Sequence, residues 1–343
     1  MSDVALAEGA SSGSPAPQFA GRGSPRSLLG SVVQRRESTV VVVTIGVLIY
    51  FALRTSTLYS VANIITIAQY IASIAVLGAA QVLLLVLAEI DLSQGQVYLT
   101  APWFVYLLWA DGIAFGWAVA ITLACCVIIG AINGIVLVWL KVPSLIVTLA
   151  VNYALFGLVL VESNAIQQNM PGTTGHLGIW LGIGSWSTIL WALGISTIIW
   201  VLLKRTRFGT HVTATGGNEL AAAEAGVPVG RVKIWCFMIS SLAAGFMGIL
   251  DAIRIQSINP GNSGLDIVLP AIVAAVIGGT ALTGGRGTIV GTVIGALFLG
   301  VLEDGFNLIG VSANWFYLVE GVVILVAMAI NNQLGVLAAR TRR

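Results

Sequence analysis

Two stretches of this chain hold side chains that can do more than fill space in an apolar environment. The first is Glu89-Ile90-Asp91-Leu92-Ser93, which sets two carboxylates and a hydroxyl at alternate positions inside a long apolar run. A charge at membrane depth costs about 2.5–3.5 kcal/mol on insertion scales unless it meets water, protein or a partner. Two readings follow. The group lines a polar pathway for a solute, or the carboxylates and Ser93 satisfy the backbone of an interrupted helix and pin the bundle. Asn152, and with it Asn133, adds an amide within a span, where one amide more often joins two helices than forms a site.

The second stretch is the polar loop 204–233, with Lys204, Arg205, Arg207, Arg231 and Lys233 as its basic residues. Excess Lys and Arg places such a loop on the cytoplasmic side. Within it, Gly216-Gly217-Asn218-Glu219-Leu220-Ala221-Ala222-Ala223-Glu224-Ala225-Gly226 reads as a short surface helix. Asn218 is its N-cap, Glu219 to Ala225 are strong helix formers, and Gly226 is its stop. Either the helix is a docking knob for a soluble partner or the loop is an ordered connector between spans.

Composition sets the class that must position these residues. Of 343 residues, 57% are hydrophobic and only 9% charged, with a mean hydropathy of +0.97, where a soluble domain carries roughly 25% charge. The fold class is therefore all-α and polytopic. A net charge of +2 leaves no field directed at nucleic acid, and the basic residues read as topology signals. Cys125, Cys126 and Cys236 sit in apolar runs without ligand spacing and read as packing residues.

Measured against about 20 apolar residues per crossing, spans fall near 39–55, 61–79, 80–110, 114–140, 142–162, 185–203, 232–252, 265–282, 287–303 and 314–331. That makes about ten transmembrane helices, of which 80–110 is too long for one straight helix and must be broken or re-entrant at Glu89 to Gly95. Residues 1–38, rich in Gly, Ser, Pro and Ala, read as a disordered cytoplasmic tail without the apolar stretch of a signal peptide. Residues 39–335 form the transmembrane domain, and 336–343 a basic cytoplasmic C-terminus. With both termini inside, fourteen of the sixteen basic residues lie on the cytoplasmic side, and only Arg54 and Arg254 outside.

Glycine marks a third dense stretch, Ile277-Gly278-Gly279-Thr280 through Gly284-Gly285-Arg286-Gly287-Thr288. Its spacing lacks the Lys of a phosphate-binding P-loop, so it is not a nucleotide site. Gly287, Gly291 and Gly295 recur every four residues and predict a face for close helix packing, while the Gly278-Gly279 and Gly284-Gly285 pairs predict a tight cytoplasmic turn. Catalysis has no matching constellation: no HExxH occurs, and His176 and His211 both fall in predicted loops. Transport remains, driven by a partner ATPase or by an ion gradient acting through Glu89 and Asp91; ten spans, no nucleotide motif and a docking-like loop favour the ATPase.

Five motifs in register make the chain recognisable. Ala88-Glu89-Ile90-Asp91-Leu92-Ser93, Lys141-Val142-Pro143-Ser144-Leu145-Ile146-Val147-Thr148, Thr206-Arg207-Phe208-Gly209, Gly216-Gly217-Asn218 with Ala221-Ala222 and Gly226, and the Gly278-to-Thr288 stretch resemble the membrane permease of ribose- and xylose-type sugar ABC importers over about residues 60–335. The Ala-Glu-Ile-Asp-Leu-Ser form looks most like the xylose branch, where other members carry Gly-Gly before Ile-Asp-Leu-Ser. Two departures bear on the sugar. Val268-Leu269-Pro270 replaces an acidic Glu-Leu-Asp at the outer end of a span, with Asp266 nearby as a partial substitute, and Phe156-Gly157 replaces Arg-Gly.

The resemblance implies a multi-pass plasma (inner) membrane subunit. Its partners would be a second permease copy or paralogue, an ABC ATPase or tandem ATPase, an extracytoplasmic sugar-binding protein and membrane lipid. It implies no cofactor in this chain, since the partner ATPase would bind ATP and Mg. Gly217, Asn218, Glu219, Ala221, Ala222, Glu224, Ala225 and Gly226 would couple to that ATPase, and the cargo would be a monosaccharide, a pentose such as xylose being favoured.

Overall fold

The computed structural model describes residues 36–171, 178–184, 186–312, 315, 318–319, 321–322 and 325–326. The expected tail up to residue 35, His176, most of the span 314–331 and the basic C-terminus lie outside the described residues. Arg36, Glu37 and Ser38, assigned to the tail from sequence, instead open the first helix.

The regular elements of the described residues are helices, with one isolated antiparallel bridge between Gln168 and Ile258. Helix α1 (Arg36–Arg54) is followed by a 3-10 turn (Ser56–Tyr59), α2 (Val61–Val86), α3 (Ser93–Ala110), α4 (Phe115–Leu140), α5 (Ser144–Ser163), a π-helical turn (Ile179–Ile183), α6 (Ser187–Arg205), α7 (Arg207–Gly217), α8 (Glu219–Glu224), α9 (Val229–Ile255), α10 (Leu265–Ile277) and α11 (Ile289–Leu308). Six of these, α2, α4, α5, α6, α9 and α11, are long and apolar enough to cross a membrane, while Val40–Arg54 and α10 are shorter apolar helices. His211, expected in a loop, lies within α7.

Helix α2 is the axis of the bundle. Every residue from Ile71 to Val86 is buried, because α6, α9, α10 and α11 all pack around it. A helix apolar on all sides is one enclosed by others. By contrast α4, α5 and α6 present exposed Ile128, Ile146, Tyr153 and Leu190, the outer wall of the bundle. At 26 residues, α2 runs about 39 Å, longer than a hydrocarbon core of about 30 Å. The sequence boundary between spans at 79/80 therefore moves to the break at 87–92.

One end of the bundle is basic. Lys141, Lys204, Arg205, Arg207, Arg231, Lys233 and Arg286 all fall in its turns or helix ends, and Arg54 and Arg254 close helices at the opposite end. The corner between α6 and α7 is tight: Thr206 Oγ1 accepts the Gly209 N–H at 3.2 Å, and a Cβ at Gly209 would collide with the Leu203 carbonyl.

The glycine stripe differs from its sequence reading in one position. Helix α10 has 13 residues, about 20 Å, and stops at Gly278 rather than continuing to 282. Helix α11 starts only at Ile289, capped by Thr288 Oγ1, which accepts the Gly291 N–H at 3.2 Å. Gly287 thus precedes the helix and abuts Val82 and Val86 of α2, whereas Gly291 and Gly295 lie against the carbonyls of Gly278 and Ala274 on α10. Four-residue spacing alone could not register that α11 begins two residues late.

Overpacking a tight contact costs about 1–3 kcal/mol. Gly291→Leu is expected to lose at least that much through its clash with the Gly278 backbone, seen as a lower apparent melting temperature in detergent. Gly157→Ala, where nothing lies within 4 Å, should instead be neutral or stabilise α5 by roughly 0.5–1 kcal/mol.

Candidate functional site

The break between α2 and α3 is built from three sources of hydrogen bonds. Helix α2 closes on itself: Ala88 adopts φ 62°, the Ala88 N–H reaches the Leu85 carbonyl and the Glu89 N–H the Leu84 carbonyl, both at 2.9 Å. This is the left-handed helix stop that glycine usually supplies. Helix α5 serves the next residues, with Ser144 Oγ accepting the Ile90 N–H and Thr148 Oγ1 the Leu92 N–H, each at 3.1 Å. Ser144 and Thr148 stand one turn apart, so both face the break.

Asp91 anchors the third. Its Oδ1 accepts the Ser93 N–H at 3.0 Å and the Ser93 hydroxyl at 2.6 Å, its Oδ2 accepts the Ser240 hydroxyl of α9 at 3.2 Å, and Asn133 Nδ2 of α4 donates to Ser93 Oγ at 2.8 Å. Asp91 and Ser93 are fully buried. Asp91 stands immediately before Leu92, the N-cap of α3, where a carboxylate meets the positive end of the helix dipole. The hydrogen bonds run to bundle groups, the pinning arrangement of the two read from sequence. Asn152 lies elsewhere on α5, buried, its carbonyl oxygen without a hydrogen-bond partner among the described residues.

Glu89 points the other way, to the basic end. Lys233 Nζ lies 3.0 Å from Glu89 Oε1 and 2.9 Å from Glu219 Oε2. Glu219 opens α8, where Asn218 Oδ1 accepts the Ala221 N–H at 3.0 Å and Gly226, at φ 82°, ends the turn. Gly217 ends α7, Asn218 joins it to α8, and Glu219, Ala221, Glu224 and Ala225 are exposed. Ala222, chosen from sequence as a contact residue, faces inward at 5% exposure, while Leu220, which sequence reasoning passed over, is 72% exposed. The turn at Gly284-Gly285 completes this end: the Gly285 N–H donates to the Val86 carbonyl at 2.8 Å, and Gly216 of α7 presses on the same carbonyl. Four of the five motifs behind the family resemblance meet here, and the fifth, Thr206-Arg207-Phe208-Gly209, opens α7, whose far end Gly216 reaches the Val86 carbonyl.

The opposite end holds a cavity of about 300 Å³ lined by Tyr98, Asp251, Asn259, Asn262, Asp266 and Glu303. Tyr98 donates its hydroxyl to Asp251 Oδ2 at 2.5 Å, and Arg254 Nε donates to Asp251 Oδ1 at 2.7 Å. Pro102 in α3 and Pro270 in α10 also line it, and a helical proline deprives the carbonyl four residues back of its usual donor. Tyr98, Asp251 and Glu303 were not singled out from sequence, although Asp251 and Pro102 are polar or helix-breaking residues inside spans and could have been. Among the described residues no three His, Cys, Asp or Glu side chains cluster as a metal ion requires.

A buried helix break, a capped helix at the basic end and a bundle of apolar helices belong to a membrane transport component. The chain is a member of the family described as "Branched-chain amino acid transport system / permease component", which matches residues 60–328. It is 32% identical over 314 residues to the xylose/arabinose import permease protein XylH of Sulfolobus acidocaldarius, covering 88% of this chain and 86% of that protein. Over 281 residues it is 36% identical to the ribose import permease protein RbsC of Escherichia coli K12, covering 80% and 87%. The L-arabinose ABC transporter permease protein AraH of Azospirillum brasilense is 34% identical over 259 residues, covering 71% and 72%. No solved structure matches the chain.

Two substitutions probe the break. Asp91→Leu orphans several buried donors at about 1–3 kcal/mol each and should lower the apparent melting temperature sharply, with Asp91→Asn intermediate. Ala88→Gly relieves a left-handed alanine and should raise that temperature, through a gain of roughly 0.5–1 kcal/mol in stability.

Proposed function

We propose that this chain is the membrane permease of an ATP-driven importer for a monosaccharide, with a pentose as the favoured cargo. The observation that carries it is the exposed, capped helix α8 at the basic end, ion-paired through Lys233 to the break where four of the family motifs meet. Its outward Leu220 and the neighbouring Ala221, Ala223 and Glu224 would seat on an ABC ATPase, which would bind ATP and Mg. The XylH, RbsC and AraH relatives, named for xylose, arabinose and ribose, support a pentose. The cavity at the opposite end, with apolar walls such as Leu99 and Ile267 and polar groups at Tyr98, Asn259 and Asn262, suits a neutral, hydroxyl-rich solute handed over by an extracytoplasmic binding protein, because its acceptors and amides can exchange for the solute's hydration.

On this reading the chain crosses the plasma membrane ten times, with α1, α3, α10 and the segment 314–331 joining the six long helices. Both termini are cytoplasmic, and two permease subunits frame the pathway. An ion-coupled carrier acting through Glu89 and Asp91 is less favoured, because Glu89 is ion-paired and Asp91 carries three hydrogen bonds. Inward movement of a docked helix would reach the bundle as a rigid-body shift.

Reconstitution with the cognate ATPase and sugar-binding protein tests the proposal. Radiolabelled pentose uptake should require ATP and survive an uncoupler; uptake that persists without ATP and collapses with the uncoupler would establish the ion-coupled carrier. Leu220→Asp should strip the ATPase from the purified complex while the permease keeps its own melting temperature. Ala222→Arg, by contrast, should destabilise the permease itself.

A further inference from the structure

Lys233 occupies an unusual junction. Its ammonium is held between Glu219 on α8 and Glu89 at the α2–α3 break, segments more than a hundred residues apart in sequence. The residue is 8% exposed. Two turns further along α9, Ser240 donates to Asp91, so α9 grips the break at both of its carboxylates. Helix α8 also packs against α7 and α9, with Ala222 turned inward. Beside it lies a cavity of about 510 Å³ lined by Glu89, Leu137, Lys141, Pro143, Glu219 and Lys233, which leaves room for α8 to move toward the turn between α4 and α5.

We propose that Lys233 is the positioning residue that transmits displacement of α8 to the α2–α3 break, so that nucleotide-driven movement of the partner reaches the bundle through the Glu219–Lys233–Glu89 chain. The proposal rests on the reading of α8 as the ATPase-docking helix. A compact ammonium with three donors serves both carboxylates at once. In this partly buried site their attraction is less screened than in bulk water. Displacing Glu219 therefore pulls on the ammonium, and the ammonium pulls on Glu89, whose backbone is continuous with Asp91. Lys141, the other cation lining the cavity, sits on the α4–α5 turn and would meet Glu219 as α8 closes.

The test uses the assembled importer in proteoliposomes, reading sugar delivered per ATP hydrolysed alongside retention of the ATPase on purification. Lys233→Met should keep the ATPase bound while sugar per ATP falls about tenfold. Lys233→Arg, which retains the charge and the two-carboxylate reach, should restore most of it. Glu219→Gln lies at the exposed end of the chain, leaves the Glu89 pair intact and should reproduce the loss without lowering the melting temperature, which separates transmission from folding. A parental sugar-to-ATP ratio in both Lys233→Met and Glu219→Gln would overturn the proposal. So would loss of ATPase from either variant, which would make these residues part of the docking contact. Failure of the parent chain to retain any ATPase would instead remove the docking reading beneath it.

Discussion

A helix that stops inside an apolar bundle leaves backbone donors and acceptors with no water to receive them, and much of this structure answers that constraint. From Ile71 to Val86 helix α2 is enclosed on every side, so its end at Val86 cannot be solvated directly. Its carbonyl groups turn back to Ala88 and Glu89, and the Val86 carbonyl takes the Gly285 N–H. The following N–H groups are taken by Ser144, Thr148 and Asp91. Because those partners come from α5, the α10–α11 turn and the break itself, and Asp91 is further held from α9, satisfying the backbone also locks five parts of the chain together. Each donor left unpaired at such depth would cost about 1–3 kcal/mol.

The same arrangement divides the molecule by role. The basic end concentrates tight turns, capped helices and backbone contacts that tolerate little variation in shape: Gly216 of α7 and the Gly284-Gly285 turn meet the Val86 carbonyl, and α8 is tied to the break through Glu219, Lys233 and Glu89. The opposite end instead offers a cavity of side-chain hydroxyl, amide and carboxylate groups around Tyr98 and Asp251. In the proposed importer, the first end receives the partner that uses ATP and the second receives the solute. On that proposal the motifs defined by backbone geometry would mark the energy-receiving end, which would explain why they announce the class of transporter more clearly than its cargo.

Much of the fold was legible because hydropathy and charge are read directly by a membrane. The long helices α4, α5, α6 and α9 fall close to their expected limits, and α8 is capped where expected, by the Asn218 side-chain oxygen at its start and at its end by Gly226, whose missing Cβ permits a positive φ. Boundaries inside continuous apolar runs were less legible. Nothing in hydropathy separates residues 79 and 80 from 86 and 87, and the end of α2 is set by the partners available to its last carbonyls. Helix α10 likewise ends early at Gly278 and α11 starts late at Ile289, which removes Gly287 from the packing stripe. Asp266 retains an acidic group at the cavity despite Val268-Leu269-Pro270, a matter of where α10 begins.

Sequence by itself determined the class of molecule, the helical fold, the polarity of its two ends and the residues of the break, because each follows from local composition or from side chains that lipid cannot accommodate alone. Only the tertiary structure decided their roles. It set Asp91 inward to Ser240 and Ser93 but Glu89 outward to Lys233, although the two carboxylates are two residues apart. It turned Ala222 into the bundle and Leu220 out of it, and it brought Tyr98 beside Asp251 across more than a hundred residues. Facing and pairing are properties of packed helices, and a linear pattern of residue types does not contain them.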